Sequence, residues 1–417
     1  MLLGTHHFAT FIDSWDYDRH GHSLAFSHRY PSSFLAADGG PTAFRPPGFP
    51  LLLAAAYLLP GRDLVAGFAA QAVLGTVVVA VIGVLAWQIW DRRAALVAMA
   101  LAAVAPPLVV LGASLLSEPL YLVFELGAIC AALEHRRSEH RYRWALATGV
   151  LVGLAALTRV NGALLVVPLA LAVWTSRPRF RRGAVVAPAL VVIVAVALLT
   201  PWTIRNAIEL HAFIPFSTQE GVALERNFNP IAFRSSPPGL AQNSRRLFRL
   251  KETHGIDEAE FAGRLADAGR AFMREHPAYV AETAFWNLVR TFHLSDIPEA
   301  QGYAAGEGVD RWLSGAGIYG FYPLALLALA GALLPAARRA PWFVWVAPIV
   351  AWLPALLMAS DRARYRAPID PLFVILAGLA LVAAWNSIVA LARPKRAAAA
   401  ASDAVGAPEP GPATAAR

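Results

Sequence analysis

Residues 64–90 read LVAGFAAQAVLGTVVVAVIGVLAWQIW and contain no Asp, Glu, Lys or Arg. An apolar stretch of about 18 or more residues with few or no charges is typical of a helix that crosses a bilayer. Further apolar runs follow at residues 94–115, 120–133, 144–157, 162–174, 184–201, 317–336, 342–358 and 373–391. The sequence therefore predicts an all-α, polytopic bundle with about nine transmembrane helices, the shorter of which are tilted, re-entrant or extended by flanking residues.

Composition and charge agree with a membrane protein. The chain is 57% hydrophobic and 15% charged, whereas soluble domains average about 45–50% and 25%. Its net charge is +8, and the excess Lys and Arg lie in alternate short loops, at residues 92–93, 136–143, 177–182, 338–339 and 393–396. Such loops are normally cytoplasmic. The positive charge thus follows from membrane topology, and a nucleic-acid partner is excluded.

This orientation gives the expected domain organisation. Residues 1–63 form an extracytoplasmic N-terminal segment with interfacial helices, 64–201 a transmembrane bundle, and 202–315 an extracytoplasmic loop region with helices at 257–274 and 277–292. Residues 316–392 form the C-terminal transmembrane helices, and 393–417 a disordered cytoplasmic tail rich in Ala, Pro and Gly. An external N-terminal segment normally follows a membrane span, so we expect a first transmembrane helix to be missing before residue 1. Upstream codons that encode no apolar stretch of about 20 residues would contradict this expectation.

Three carboxylates, Asp13, Asp16 and Asp18, alternate with Trp15 and Tyr17 in the predicted outer segment. A carboxylate at a membrane interface can be partly desolvated and therefore more basic, which suits a general base. An interfacial loop with an aromatic belt and solvated acids explains the same pattern. Both interpretations stay open at this stage.

Arg45 and Glu118 each precede an apolar run at the predicted outer surface. Pro46 and Pro47 would hold Arg45 rigidly, either to bind an anionic head group or as a connector with a snorkelling side chain. Glu118, followed by Pro119, either caps a helix or faces a cavity, because a carboxylate beside hydrocarbon is costly.

Arg362, Arg364 and Arg366 stand in a predicted outer loop, contrary to the positive-inside tendency. Together with Arg159 and Arg205 they form a candidate phosphate site, since guanidinium groups bind phosphate bidentately. This is the strongest functional signal that physical chemistry alone provides in the chain.

A metal site is a further possibility. His20 and His22 could join Asp16 as ligands of a divalent cation, although solvated loop histidines are the commoner explanation of such spacing. A divalent metal is possible, but the sequence does not require a cofactor.

The chain resembles the GT-C membrane glycosyltransferases over essentially all residues up to Leu391. The resemblance is strongest to the bacterial protein-mannosyltransferase (glycosyltransferase family 39-like) and lipid A aminoarabinose-transferase group. The motifs that carry it, in order, are Asp13-x-x-x-Tyr17, Arg45-Pro46-Pro47-Gly48-Phe49-Pro50, Ser117-Glu118-Pro119-Leu120, Leu157-Thr158-Arg159, Pro201-Trp202-Thr203-Ile204-Arg205-Asn206, Glu275-His276-Pro277 followed by Arg290, and Arg364-Tyr365-Arg366-x-Pro368.

The resemblance implies an enzyme that moves a sugar from a polyprenyl-phosphate donor to a lipid, glycan or protein acceptor. It places the active site on the extracytoplasmic side of a bacterial-type inner or plasma membrane and suggests an inverting reaction. Asp13 matches the acid that activates the acceptor, and Glu118 matches a second acid near the active site. Asp16 rivals Asp13, because Ser14 stands where the family commonly has another acid. The residues expected to bind the donor phosphate are Arg45, Arg159, Arg205, Arg290, Arg364 and Arg366.

Two other functions compete with a transferase. A multi-pass transporter would show inverted repeats and charges at mid-membrane depth, whereas the charges here cluster near one edge of the bilayer and no repeat is evident. A non-catalytic membrane protein that binds lipid-linked sugars would bind the donor without turning it over.

Overall fold

The apolar runs of the sequence fold into helices. The computed structural model describes residues 13–61, 63–175, 182–235, 255–358 and 363–405, and those residues contain helices and no strand. The α-helices in chain order are α1 (Asp13–Ser27), α2 (Gly48–Tyr57), α3 (Asp63–Ile89), α4 (Arg92–Val104), α5 (Pro106–Leu111), α6 (Glu118–His135), α7 (Arg141–Thr158), α8 (Val166–Val173), α9 (Arg182–Glu209), α10 (Gln219–Asn227), α11 (Pro230–Phe233), α12 (Glu258–Glu275), α13 (Pro277–Thr291), α14 (Ile297–Gly306), α15 (Arg311–Ala332), α16 (Trp342–Trp352), α17 (Ala355–Met358) and α18 (Asp370–Val405). Short 3-10 helices cover Val160–Leu165, Pro335–Arg339 and Ala363–Arg366. The predicted all-α membrane fold is confirmed.

Four of the described helices are long and apolar enough to cross a membrane: α3, α9, α15 and the Asp370–Ala392 part of α18. The other predicted spans are also helical, but they are shorter or more highly charged. The run at residues 94–115 is divided because Pro106 and Pro107 follow Ala105, whose ψ of 111° is extended. A proline disfavours helical conformation in the residue before it, so α4 ends there and α5 begins with the prolines.

Small residues allow the long helices to pack closely. A Cβ on Gly331 of α15 would lie 1.9 Å from the carbonyl oxygen of Leu376 in α18. A Cβ on Gly149 of α7 would lie 2.9 Å from the carbonyl oxygen of Val191 in α9. Glycine at such crossings lets two helix backbones touch, as is common between membrane helices.

The polar segment between α9 and α15 contains the two helices that the sequence predicts there. α12 is capped by Asp257, whose side chain accepts a hydrogen bond from the Glu260 amide. α13 begins at Pro277, where the absent N–H needs no partner. Leu224 of α10 packs with residues of α12 and α13 in a small apolar core. This segment is therefore folded, and Phe261 of α12 packs with Phe44 of the N-terminal segment.

The C-terminal tail differs from expectation over residues 393–405. The sequence predicts disorder there, but α18 continues to Val405. The physical reason is the Ala-rich composition around residues 397–401, since alanine has the highest helix propensity. Residues 406–417 lie outside the described residues.

Several helix ends meet at one end of the bundle, which we call the site end. α1 and α6 begin there, α7 ends there at Thr158, and the 3-10 helix Ala363–Arg366 lies beside them. Chain segments far apart in sequence therefore bring their polar residues together at this end.

Candidate active site

The carboxylate of Asp13, the first residue of α1, lies between two guanidinium groups. Arg45 Nη2 donates to Asp13 Oδ1 at 2.7 Å, and Arg364 Nη2 donates to Asp13 Oδ2. Arg45 comes from the turn before α2 and Arg364 from the 3-10 helix before α18. The Asp13 side chain keeps 16% of its surface exposed, so solvent or a ligand can reach it.

Asp16, one turn further along α1, is buried and fully engaged. Its Oδ2 accepts from Arg45 Nε at 2.7 Å and its Oδ1 from Arg19 Nη2 at 3.0 Å. Burial opposes ionisation of this carboxyl, but Arg45 and His20 outweigh burial and hold the pKa of Asp16 well below its usual range. Asp16 is consequently a firm anchor for Arg45 and a poor proton acceptor.

Arg45 is held on all sides. Its guanidinium lies over the rings of Tyr17 and Phe44, at 4.6 and 4.8 Å from their centroids. Burial disfavours its charge, but Asp16 together with Tyr17 and Glu307 outweighs that effect and raises the pKa of Arg45. Arg45 therefore carries a permanent positive charge in a fixed position, as the rigid Pro46-Pro47 sequence predicts.

Glu118 and Arg159 form the second half of the cluster. Arg159 follows the last residue of α7, and its Nη1 lies 2.7 Å from Oε1 of the buried Glu118 at the start of α6. Arg364 Nε lies 3.8 Å from the same Glu118 oxygen. Arg364 thus links the Asp13 pair to the Glu118 pair, and six of the predicted site residues meet: Asp13, Asp16, Arg45, Glu118, Arg159 and Arg364.

Glu307 is a member of the cluster that the sequence analysis missed. Its Oε2 accepts from the amide and hydroxyl of Ser14, at 3.1 and 3.0 Å. Its Oε1 lies 3.4 Å from Arg364 Nη1. Glu307 stands just after α14, outside every motif noted in the sequence, so only the fold reveals its position.

A small cavity of about 70 Å³ adjoins the cluster. Its walls are mainly apolar and come from α5, α14 and α15, with Val110, Tyr303 and Ile318 among the lining residues. Arg364 and Glu307 line it on the cluster side. An apolar chamber beside charged groups suits an amphipathic ligand with an anionic head.

Arg366 also lines this cavity but is occupied by structural contacts. It donates to Asp370 Oδ1 at 2.5 Å and to the Thr291 carbonyl at 2.9 Å, and it lies over the Phe321 ring. The neighbouring His293 is buried, and burial together with the Arg366 charge lowers the pKa of His293 to about 3.

Two predicted phosphate ligands lie apart from the cluster. Arg205 donates to the Thr42 carbonyl at 2.7 Å and lies over the Tyr30 and Trp202 rings. Arg290 pairs with Asp296 at 2.9 Å. Sequence alone could not separate these arginines from the clustered ones, because local motifs do not give distances between chain segments. Asp361 and Arg362 lie outside the described residues.

The suggested cation site on α1 is not formed. His20 is buried with its Nδ1 2.7 Å from the Asp16 carbonyl, whereas the exposed His22 lies beside Asp63. Residues two apart on a helix point to different sides, which is why the two histidines cannot bind the same metal ion. Across the described residues, no group of three or more His, Cys, Asp or Glu side chains is arranged to hold a metal ion.

Residues 44–204 match the family model of dolichyl-phosphate-mannose-protein mannosyltransferases. No curated protein sequence matches the chain. The apo oligosaccharyltransferase of Archaeoglobus fulgidus is similar in structure, with a TM-score of 0.52 and 16% identity over 92% of this chain and 48% of that one. The same organism's AglB, in complex with an inhibitory peptide and a dolichol-phosphate, has a TM-score of 0.51 and 15% identity over 96% and 48%.

ArnT from Cupriavidus metallidurans bound to undecaprenyl phosphate gives a TM-score of 0.42 and 16% identity over 89% of this chain and 73% of that one. The present chain spans about half the length of the archaeal oligosaccharyltransferases. The archaeal structures show the fold alone: the chain shares its helical membrane fold with these oligosaccharyltransferases.

Proposed function

We propose that this protein is a membrane glycosyltransferase that moves a sugar from a polyprenyl-phosphate-linked donor to an acceptor at the extracytoplasmic surface. One observation carries the proposal: Asp13 is held between Arg45 and Arg364 beside a largely apolar cavity. The family match over residues 44–204 supports it, because that region includes Arg45, Glu118 and Arg159.

The cluster contains guanidinium groups to which a phosphate leaving group would bind. Arg45, Arg159 and Arg364 present three guanidinium groups within one set of ion pairs. Guanidinium groups bind phosphate through charge-assisted, bidentate hydrogen bonds. Because they are fixed before the reaction, they would stabilise the charge that develops on the departing phosphate without reorganising.

Asp13 is the best general base among the three predicted acids. Asp16 is buried under its partners and Glu118 is nearly inaccessible, whereas Asp13 is partly exposed. In the proposed reaction the acceptor hydroxyl attacks the anomeric carbon and transfers its proton to Asp13. The bond from that carbon to the phosphate oxygen breaks, and the electron pair leaves with the polyprenyl phosphate. A single displacement of this kind inverts the anomeric carbon.

The ion pairs of Arg364 suggest how the base becomes available. The guanidinium neutralises Asp13 in the structure and also contacts Glu118 and Glu307. A donor phosphate would compete for Arg364 and release Asp13 Oδ2 to accept a proton. The apolar cavity beside Arg364 would hold the part of the lipid next to the phosphate.

The positive-inside pattern supports an extracytoplasmic site in a bacterial-type inner or plasma membrane. The Arg-rich loops at residues 92–93, 136–143 and 338–339 lie at the other ends of helices whose opposite ends form the site end. The acceptor is a lipid, a glycan or a protein. The gathering of charges at one end of the bundle does not favour a transporter, which would carry them near the midplane.

Radiolabelled sugar transfer in proteoliposomes tests this function. The full chain is supplied with polyprenyl-phosphate sugars and membrane or envelope extracts as acceptors, and labelled product is counted. Transfer by the wild type that is lost in Asp13→Asn supports the proposal. The control is Asp63→Asn, because Asp63 is likewise the first residue of a helix but pairs with the exposed His22.

The same assay separates the competing functions. Saturable donor binding with no transfer to any acceptor would favour a non-catalytic binding protein. Movement of an intact solute across the membrane, without bond cleavage, would favour a transporter. Unchanged transfer by Asp13→Asn would remove Asp13 as the base.

A further inference from the structure

Glu258 is a buried carboxylate outside the cluster, at the first residue of α12. Its Oε1 accepts from the Ala43 amide at 2.8 Å and from the Thr218 hydroxyl at 2.7 Å. Its Oε2 accepts from the Ser33 hydroxyl. One side chain thus joins α12, the segment before α10, and the segment that leads to Arg45.

Helix capping does not explain this residue. Asp257 already serves as the N-cap of α12 by accepting from the Glu260 amide. Glu258 instead points its carboxylate across to Ala43, 215 residues earlier in the chain. A buried carboxylate is costly unless its oxygens are hydrogen-bonded. The three donors therefore form a specific receptor for a carboxylate, stabilised further by the N-terminus of α12.

The segment from Thr42 to Phe44 is held from several directions. Thr218 donates its backbone amide to the Ala43 carbonyl at 3.2 Å. Arg205 donates to the Thr42 carbonyl at 2.7 Å. Phe44 packs in a small core with Phe261 of α12. Glu258 is the member of this set that binds the Ala43 amide, so its carboxylate fixes the backbone two residues before Arg45.

We propose that Glu258 is a positioning residue for Arg45, and through Arg45 for Asp13. Arg45 must present Nη2 to Asp13 and Nε to Asp16 at the same time, both at 2.7 Å. A small shift of the backbone at Ala43 would break this double contact. The folded segment between α9 and α15 thereby controls the geometry of the cluster, and the effect on catalysis rests on the proposed function.

The test compares Glu258→Gln with Glu260→Gln. Glu260 lies on the same helix but is exposed and pairs only locally with Arg264. Glutamine at position 258 keeps the size of the side chain but lacks the charge and one acceptor oxygen. We expect transfer efficiency to fall at least tenfold in Glu258→Gln and to stay within twofold of wild type in Glu260→Gln.

A second variant distinguishes positioning from a general loss of stability. In an Arg45→Ala background, Glu258→Gln should cause less than a twofold further loss, because both changes act through one residue. Independent, multiplied losses would overturn the proposal. So would equal behaviour of the Glu258 and Glu260 variants.

A chemical readout keeps the inference testable without enzymatic activity. Phenylglyoxal labelling followed by mass spectrometry should leave Arg45 protected in wild type and Glu260→Gln and expose it several-fold more in Glu258→Gln. The exposed Arg270 serves as the internal reference in every sample. Wild-type protein that transfers no sugar would refute the proposed function, whereas unchanged Arg45 labelling would refute the role of Glu258.

Discussion

Arg45 donates to Asp13 at 2.7 Å, and this ion pair joins the first turn of α1 to the turn before α2. The same guanidinium holds Asp16, so a single arginine fixes the two acids in the first turn of α1. The two carboxylates nevertheless differ in their surroundings. Asp13 shares its second oxygen with Arg364 and is partly exposed, whereas Asp16 is enclosed.

This difference predicts distinct losses from two similar substitutions. Asp13→Asn should lower the turnover number by about 100-fold or more, since a general base contributes about that factor, while donor affinity does not fall, because Arg364 loses a partner that competes with the phosphate. Asp16→Asn should weaken donor binding and lower the melting temperature, because it releases Arg45. Donor titration, turnover and thermal unfolding of both variants provide the check. The reverse pattern would make Asp16 the base.

Arg364 should be sensitive even to lysine. Arg364→Lys retains the charge but cannot span Asp13, Glu118 and Glu307 with one planar group. We expect a roughly 10- to 100-fold lower transfer efficiency, the equivalent of about 1.5–3 kcal/mol for one charge-assisted contact. Arg270→Lys on the exposed surface is the control and should be neutral. Equal activity of the two variants would place the donor phosphate elsewhere.

The Glu118 and Arg159 pair is expected to stabilise the site end. Glu118→Gln removes the charged partner of Arg159, whose side chain is only slightly exposed. We expect the free energy of unfolding to fall by about 2 kcal/mol, a value between those typical of surface ion pairs and of buried ion pairs. Adding Arg159→Gln should recover part of that loss. A double-mutant cycle by thermal or denaturant unfolding measures the coupling, and additive losses would show that the pair is not coupled.

Stability should fall in mild acid because of His293. Its pKa is lowered from 6.5 to about 3, so the folded state keeps it neutral while the unfolded state takes up a proton below pH 6.5. Stability is therefore lost as pH falls from 6.5 toward 3, by about 1.4 kcal/mol at pH 5.5. Thermal unfolding of the protein at pH 7.5 and 5.5 measures this loss.

His293→Asn should reduce that pH dependence. Asparagine tolerates the positive φ of 58° at this position. His211→Asn is the matched control, since His211 is exposed and also has a positive φ, of 51°. If the two variants lose the same amount of stability on acidification as the wild type, His293 does not carry the effect.

The sequence predicts which residues form helices better than it predicts which side chains come into contact in the fold. Charge-free runs such as residues 64–90 indicate helices directly, and Pro46-Pro47 indicates a rigid Arg45. Arg205 and Arg290 sit in motifs as convincing as that of Arg364, yet they bind the Thr42 carbonyl and Asp296 instead. The order of the motifs along the chain does not reveal which of their side chains lie close together in the fold.

Glu307 and Glu258 are candidate functional residues that the sequence does not reveal. Both are buried acids with partners more than 200 residues away, and neither lies in a recognisable pattern. Their roles depend on how the segment between α9 and α15 folds back onto α1 and its following turn. That long-range arrangement arises from tertiary packing, which no local sequence window contains.

The backbone contact between α15 and α18 at Gly331 has a mechanical consequence. Because Gly331 has no side chain, the backbones of the two helices are in direct contact, and we expect the helices to move as one rigid unit. α15 supplies one wall of the cavity, and Asp370, the first residue of α18, also lines it. In the proposed function, a lipid that needs more room than the cavity offers would therefore displace the short α14 or α5 rather than α15.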